Sequence, residues 1–203
     1  MRSASSSPHA SEAGRERYME TVAAGCAALG ARAPRITYAP QWHVHPGFIE
    51  AIAAGVRSAL ERIPVARRTA ARLVFTAHSI PRATAEASPY VAQLTASAAA
   101  VATALAWPRW QIAYQSRSGS PRDPWLEPDV NDVLRALAAD GVRDVVVSPI
   151  GFVCDHVEVL YDLDVEAAAT ARDLGLGFAR ASAVNDHPAF IRMLAEVVLE
   201  AAG

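Results

Sequence analysis

No lysine occurs anywhere in the 203 residues, and all 19 basic side chains are arginine. That single absence removes Schiff-base chemistry on a carbonyl and the Walker A phosphate loop, both of which need the amine. Cysteine is nearly as scarce. Cys26 and Cys154 are the only two and stand far apart in sequence, so they build neither a zinc ribbon nor a self-contained iron–sulfur site, and a disulfide framework is not expected. Such usage fits a reducing, cytoplasmic setting. Charge is in short supply too. A net charge of −2 leaves no nucleic-acid footprint. Nor is there a long hydrophobic run. The uncharged stretch from Tyr90 to Trp107 is alanine-rich and broken by Gln93, Thr95, Ser97 and Thr103, too weakly apolar for a transmembrane segment. It reads instead as a buried or half-buried crossover helix. The polar start, residues 1–8, lacks the apolar core of a signal peptide and is expected to fray.

What remains is an apolar-rich chain, long enough for one full α/β domain with something over. A helix is expected from about Ser11 to Leu29, with Tyr18, Val22 and Cys26 on its inner side and Gly30 as its stop. A short strand, 35–38, is followed by the loop Gln41-Trp42-His43-Val44-His45 and a helix over 48–63. Arg72-Leu73-Val74-Phe75-Thr76-Ala77 is the unbroken apolar run of a central parallel strand. Further strands are expected at 110–115, 144–148 and 178–181, and further helices at 130–139, capped by Asp129, and 188–199. Strand and helix alternate throughout the C-terminal part. That pattern predicts an α/β fold of the Rossmann or flavodoxin-like kind, a parallel sheet with helices on both faces.

In such a sheet all carboxyl ends point one way, and ligands bind there. His78 directly follows one strand, while Asp155, His156 and Glu158 follow another across the turn Pro149-Ile150-Gly151. Two distant segments therefore deliver polar residues to one rim. Glu158, Asp162 and Glu166 recur every four residues and form one acidic stripe on a helix, drifting about 40° per step. The stripe is either a path for a divalent metal or an ordinary solvated face; spacing alone favours the second. Cys154 sits among carboxylates, which oppose a thiolate nucleophile. His43 and His45 lack a third ligand and read as a structural loop. The serines of 116–120 lack the strand-GxGxxG-helix context of a phosphate loop. Trp125, among prolines, either walls a flat apolar pocket or covers the sheet edge.

Four blocks taken together resemble the ferrochelatase family: His78-Ser79-Ile80-Pro81, Tyr114-Gln115-Ser116-Arg117-Ser118-Gly119, Pro124-Trp125-Leu126-Glu127-Pro128-Asp129, and the segment from Pro149 through Glu158. The variants are similar to those of actinobacterial members that put iron into coproporphyrin III. The likeness covers residues 11–200 and is to the C-terminal half of a longer member, so residues 1–45 are expected to be a helical segment and connector left from a first chelatase domain, with 46–203 the second. The resemblance implies insertion of Fe(II) into a porphyrin. His78 and Glu158 would handle pyrrole protons and metal across the macrocycle, and Asp162 and Glu166 would continue a metal or proton conduit on a locally widened helix. Ser116, Trp125 and His156 would contact the porphyrin. Iron is then a substrate; no tightly bound cofactor and no 2Fe-2S cluster are expected. A homodimer, or the missing N-terminal half, would complete the cleft and cover an exposed apolar patch around Phe190, Leu194 and Val198. The alternatives are a non-catalytic porphyrin- or metal-binding remnant and a half-size homodimeric cobalt or sirohydrochlorin chelatase, against which the block 125–129 speaks.

Overall fold

The computed structural model describes residues 2–3, 8–10, 17–118 and 122–201. Strands β1 (Arg2–Ser3) and β2 (Thr37–Tyr38) form a small parallel pair, so part of the stretch expected to fray is held by a ladder. Helix α1 (Arg17–Leu29) buries no residue. Its expected inner side is only partly covered: Tyr18 is 47% exposed and Val22 and Cys26 are half-buried. Residues 11–16 of the expected helix lie outside the described residues.

The body follows in strict alternation. Helices α2 (Pro46–Glu61) and α3 (Val65–Arg68) lead to β3 (Arg72–His78); α4 (Arg82–Glu86) and α5 (Tyr90–Ala104) lead to β4 (Trp110–Gln115). Next come α6 (Val130–Ala139) and β5 (Asp144–Ser148). A continuous helix begins as α7 (Val157–Leu160), widens to a π segment (Tyr161–Ala167) and narrows again as α8 (Ala168–Asp173). Strand β6 (Gly177–Arg180) and helix α9 (Pro188–Glu200) end the order. Asp129 caps α6 as expected, accepting from the Asn131 amide, and His45, read from the sequence only as a structural loop residue, accepts from the Gly47 amide ahead of α2.

All four strands of the main sheet are parallel, in the order β4-β3-β5-β6. Numbered among themselves they run 2-1-3-4, the flavodoxin-like order, in which the switch point lies between the first and third strands. Alternation sorts the side chains. Leu73, Phe75, Ala77 and Val146 join α2, α5 and α9 in one apolar cluster, and Val74, Ala113, Val145 and Val147 join α6 and the helix through Leu163 and Ala171 in the other. Helix α5, with Leu94, Ala98 and Val101 fully buried, is the packed crossover helix foreseen from its composition. No helix among the described residues is long and apolar enough to cross a membrane.

Helix α9 corrects the expected patch. Phe190 is 5% exposed, wedged against Trp42 and Phe48 with ring centroids 5.6 and 6.3 Å away, and Leu194 and Val198 are half-buried. Gly47 is the reason. A Cβ there would lie 2.8 Å from Met193 Cβ, so only glycine lets α2 and α9 approach this closely and draw Phe190 inward. The apolar side chains α9 does leave outside are Ile191 and Leu199.

A buried polar cluster ties residues 8–10 to α5. His9 is fully buried, its Nε2 3.0 Å from Ser97 Oγ, and Gln93 accepts from the Ala10 amide. Burial, reinforced by nearby His43, pushes the His9 imidazole down to about 3. Its folded pKa lies below the unfolded value of 6.5, so its contribution is complete above pH 6.5 and is lost as pH falls toward 3. At about 1.4 kcal/mol per unit, some 2–3 kcal/mol should be gone by pH 4.5. Urea midpoints at pH 7 and 4.5 should fall further for the wild type than for His9→Gln; equal falls would refute it.

Candidate functional site

The switch point places the carboxyl ends of β3 and β5 side by side, and the site grows from these two ends. Strand β3 delivers His78 as its last residue. After β5, the turn 149–151 folds back across β3: the Gly151 amide donates to the Thr76 carbonyl at 3.0 Å. A Cβ on Gly151 would sit 2.5 Å from Ala77 Cβ, so this crossing demands glycine. The chain then reaches Phe152, whose ring lies 6.5 Å from that of His78 and 5.3 Å from that of His156, and enters α7 with Glu158 in its first turn.

His78 Nε2 ends 3.6 Å from Glu158 Oε1, with the imidazole 34% and the carboxylate 45% exposed. The other ring nitrogen, Nδ1, bonds the Ser79 carbonyl. A carbonyl only accepts, so Nδ1 carries hydrogen, and in the neutral ring Nε2 presents its lone pair toward Glu158. Two Lewis-basic groups thus face each other from segments 80 residues apart. A proton on Nε2, or a cation between the two, turns that repulsion into attraction. At 3.6 Å these two atoms leave no room for a planar ring directly between them. The pair is in direct contact on one rim, and both groups are open to solvent there.

The backbone of His78 is fixed from below. Tyr90 on α5 donates its hydroxyl to the His78 carbonyl at 2.9 Å; burial, with Tyr114 nearby, raises that phenol far above its ordinary range and keeps it a donor. Beyond Glu158, Asp162 accepts from Gln115 Nε2 at 3.3 Å and from the Ser116 hydroxyl, both at the end of β4. The third strand thereby joins the rim. Glu166 is exposed and makes no ion pair or side-chain hydrogen bond among the described residues. Widening from α to π falls on Tyr161–Ala167, and at roughly 4.4 residues per turn it reverses the forward drift of the α register, bringing Glu166 back toward the line of Glu158. Among the described residues no three His, Cys, Asp or Glu side chains converge as a ligand cluster. The acids form a row, not a cage.

Trp125 is half-buried and held at the rim by backbone. It pairs with Pro81, while the Leu126 amide donates to the Ile80 carbonyl at 3.0 Å and Ser79 Oγ to the Leu126 carbonyl at 2.9 Å. Its indole Nε1 is buried with no hydrogen-bond partner among the described residues. Ser116 is engaged with Asp162, and His156 caps no backbone group and rests against Phe152. Residues 119–121 of the serine-rich loop lie outside the described residues.

Sequence reasoning missed the residue that holds the second segment in place. Arg180, at the end of β6, bonds Asp164 in the π segment at 2.6 Å and Asp155 at 2.8 Å. Burial opposes its charge, but the hydrogen bond to Asp164 and the charges of Asp155 and Asp164 outweigh it and hold the guanidinium above its ordinary value. Asp155 also accepts from Asn185 at 3.0 Å. The entry to α7 is thus stitched to the loop after β6. Nothing in the local pattern of Phe178-Ala179-Arg180 signals this; only the pairing of β5 with β6 does.

The family model described as Ferrochelatase matches residues 3–202. A coproporphyrin III ferrochelatase of Mycolicibacterium vanbaalenii is 46% identical over 187 residues, covering 91% of this chain and 55% of that protein. One of Nocardia farcinica is 46% identical over 195 residues, covering 92% and 55%. The chain therefore spans about half the length of the curated relatives it matches. Among solved structures, SirB from Bacillus subtilis with Fe3+ superposes with a TM-score of 0.70 at 12% identity, over 100% of this chain and 71% of that one. The sirohydrochlorin chelatase SirB in complex with cobalt gives 0.64 at 14%, over 99% and 68%. These two likenesses speak to the fold alone.

Proposed function

This chain belongs to the ferrochelatase family, and from that premise we propose that it works in the insertion of Fe(II) into a porphyrin, coproporphyrin III, during haem biosynthesis in the cytoplasm. The observation that carries the reading is the His78–Glu158 pair, two bases 3.6 Å apart with Nε2 free to accept because Nδ1–H is committed to Ser79.

The reaction sets the demands. A neutral porphyrin gives up two N–H protons as one Fe2+ binds its four nitrogens, and two protons leave. In this reading Nε2 of His78 takes a proton from a pyrrole N–H, and the imidazolium so formed is stabilised by Glu158 beside it. The proton then passes along Glu158, Asp162 and the exposed Glu166 to solvent, which frees His78 for the second. The same row suits ferrous iron. Imidazole and carboxylate are fitting ligands for it. The orphan indole N–H of Trp125, together with Ser116 and His156 at the rim, is assigned to the porphyrin and its carboxylate substituents. Iron and porphyrin are substrates here, and no resident cofactor or iron–sulfur cluster enters the scheme. We read 46–203 as the metal-handling α/β unit and 1–45 as a connector from a second such unit. A second copy, or the remainder of a longer protein, supplies the opposite wall.

Anaerobic mixing with coproporphyrin III and Fe(II), or Zn(II) as surrogate, tests this. Metalloporphyrin bands should replace the free-base spectrum. A perturbed porphyrin spectrum without metal insertion would leave only the non-catalytic binding module, and insertion of Co(II) into sirohydrochlorin alone would overturn the iron reading.

A further inference from the structure

An arginine stands at or just before the start of three neighbouring strands of the main sheet. Arg72 is the first residue of β3, Arg109 immediately precedes β4, and Arg143 immediately precedes β5. Leu73 pairs with Trp110 and its amide donates to the Arg109 carbonyl at 3.0 Å, so Arg72 and Arg109 stand opposite each other on strands about 4.8 Å apart. Like charges so placed repel. With Arg67 they line a cavity of about 310 Å³ at the amino ends of the strands, the end of the sheet away from His78. Arg67 is taken by Asp144 at 3.1 Å. Among the described residues, Arg72, Arg109 and Arg143 make no ion pair and no side-chain hydrogen bond. Asp140 and Asp144 are the acids of the lining, leaving two positive charges in excess.

We propose that this arginine basin is a binding site for a small polyvalent oxyanion of the diphosphate class. Guanidinium forks match phosphoryl oxygens two at a time, and one anion shared by three forks replaces their mutual repulsion with charge-assisted bonds. The volume admits a diphosphate together with several of its waters. The site lies across the sheet from the chelatase rim and stands or falls independently of that reading.

Calorimetric titration with inorganic pyrophosphate decides the matter, at about 0.15 M salt, where diffuse charge attraction beyond roughly 8 Å is screened. Saturable binding is expected, weakened at least about tenfold in Arg72→Ala/Arg109→Ala. Arg192→Ala, an exposed site on α9, should bind as the wild type does. On the unaltered protein, pyrophosphate should protect Arg72 and Arg109 from phenylglyoxal, read by peptide mass spectrometry. Heat that never saturates, equal binding in the double variant, or no protection would each overturn the proposal.

Discussion

His78→Ala should slow metal insertion by about 10²–10⁴-fold, the range for removing a positioned proton acceptor, while the fold survives. The side chain is one-third exposed, and the bond that matters structurally, from Tyr90, goes to the backbone carbonyl that alanine keeps. Glu158→Gln retains the shape and removes the charge; a loss of about 10–10³-fold is expected once the imidazolium has no counter-charge. Because the two groups touch, their effects are coupled. The double variant should lose less than the product of the single losses. Initial rates with Zn(II) and coproporphyrin III, alongside circular dichroism, provide the measurement. Near-normal rates in both single variants would remove the site assignment.

Gly151→Ala should injure fold and activity together. The added methyl would lie 2.5 Å from Ala77 Cβ and 2.7 Å from Ala77 Cα, backbone that cannot swing aside. Overpacking of this kind costs about 1–3 kcal/mol, or roughly 3–10 °C in thermal midpoint for a chain of this size. Relief comes by lifting the turn off β3, which breaks the Gly151–Thr76 bond and carries Phe152 and Glu158 away from His78. A displacement of about 1 Å there is enough for a hundredfold loss in rate. Gly25→Ala in α1, with nothing within 4 Å of the new methyl, is the control and should be neutral or stabilising by about 0.5–1 kcal/mol. A Gly151→Ala protein melting with the wild type would show that the crossing is not tight.

Much of the fold is legible in local pattern. The apolar run at 72–77, the strands 110–115 and 144–148 and the Asp129-capped helix 130–139 occur where the periodicities place them, because each reports which side of an element is dry. His78 and Glu158 were legible for a related reason: residues just past parallel strands must share one rim. The expected patch at Phe190 failed on the same ground. An apolar stripe says that one face is covered, not by what, and the close approach of α2 at Gly47 covers this one.

By itself, then, the sequence determined the alternation of the main strands and the longer helices of the α/β body, the buried faces of its strands and the two segments that carry the rim, since all of these are set by near neighbours along the chain. The tertiary structure alone decided which strands lie adjacent. From that follow the contact of His78 with Glu158, the anchoring of Asp162 by Gln115 and Ser116, the clamp of Arg180 on Asp155 and Asp164, and the three arginines at the opposite end. Each joins residues far apart along the chain, and no local period encodes such a meeting; packing two apolar layers onto one twisted sheet does.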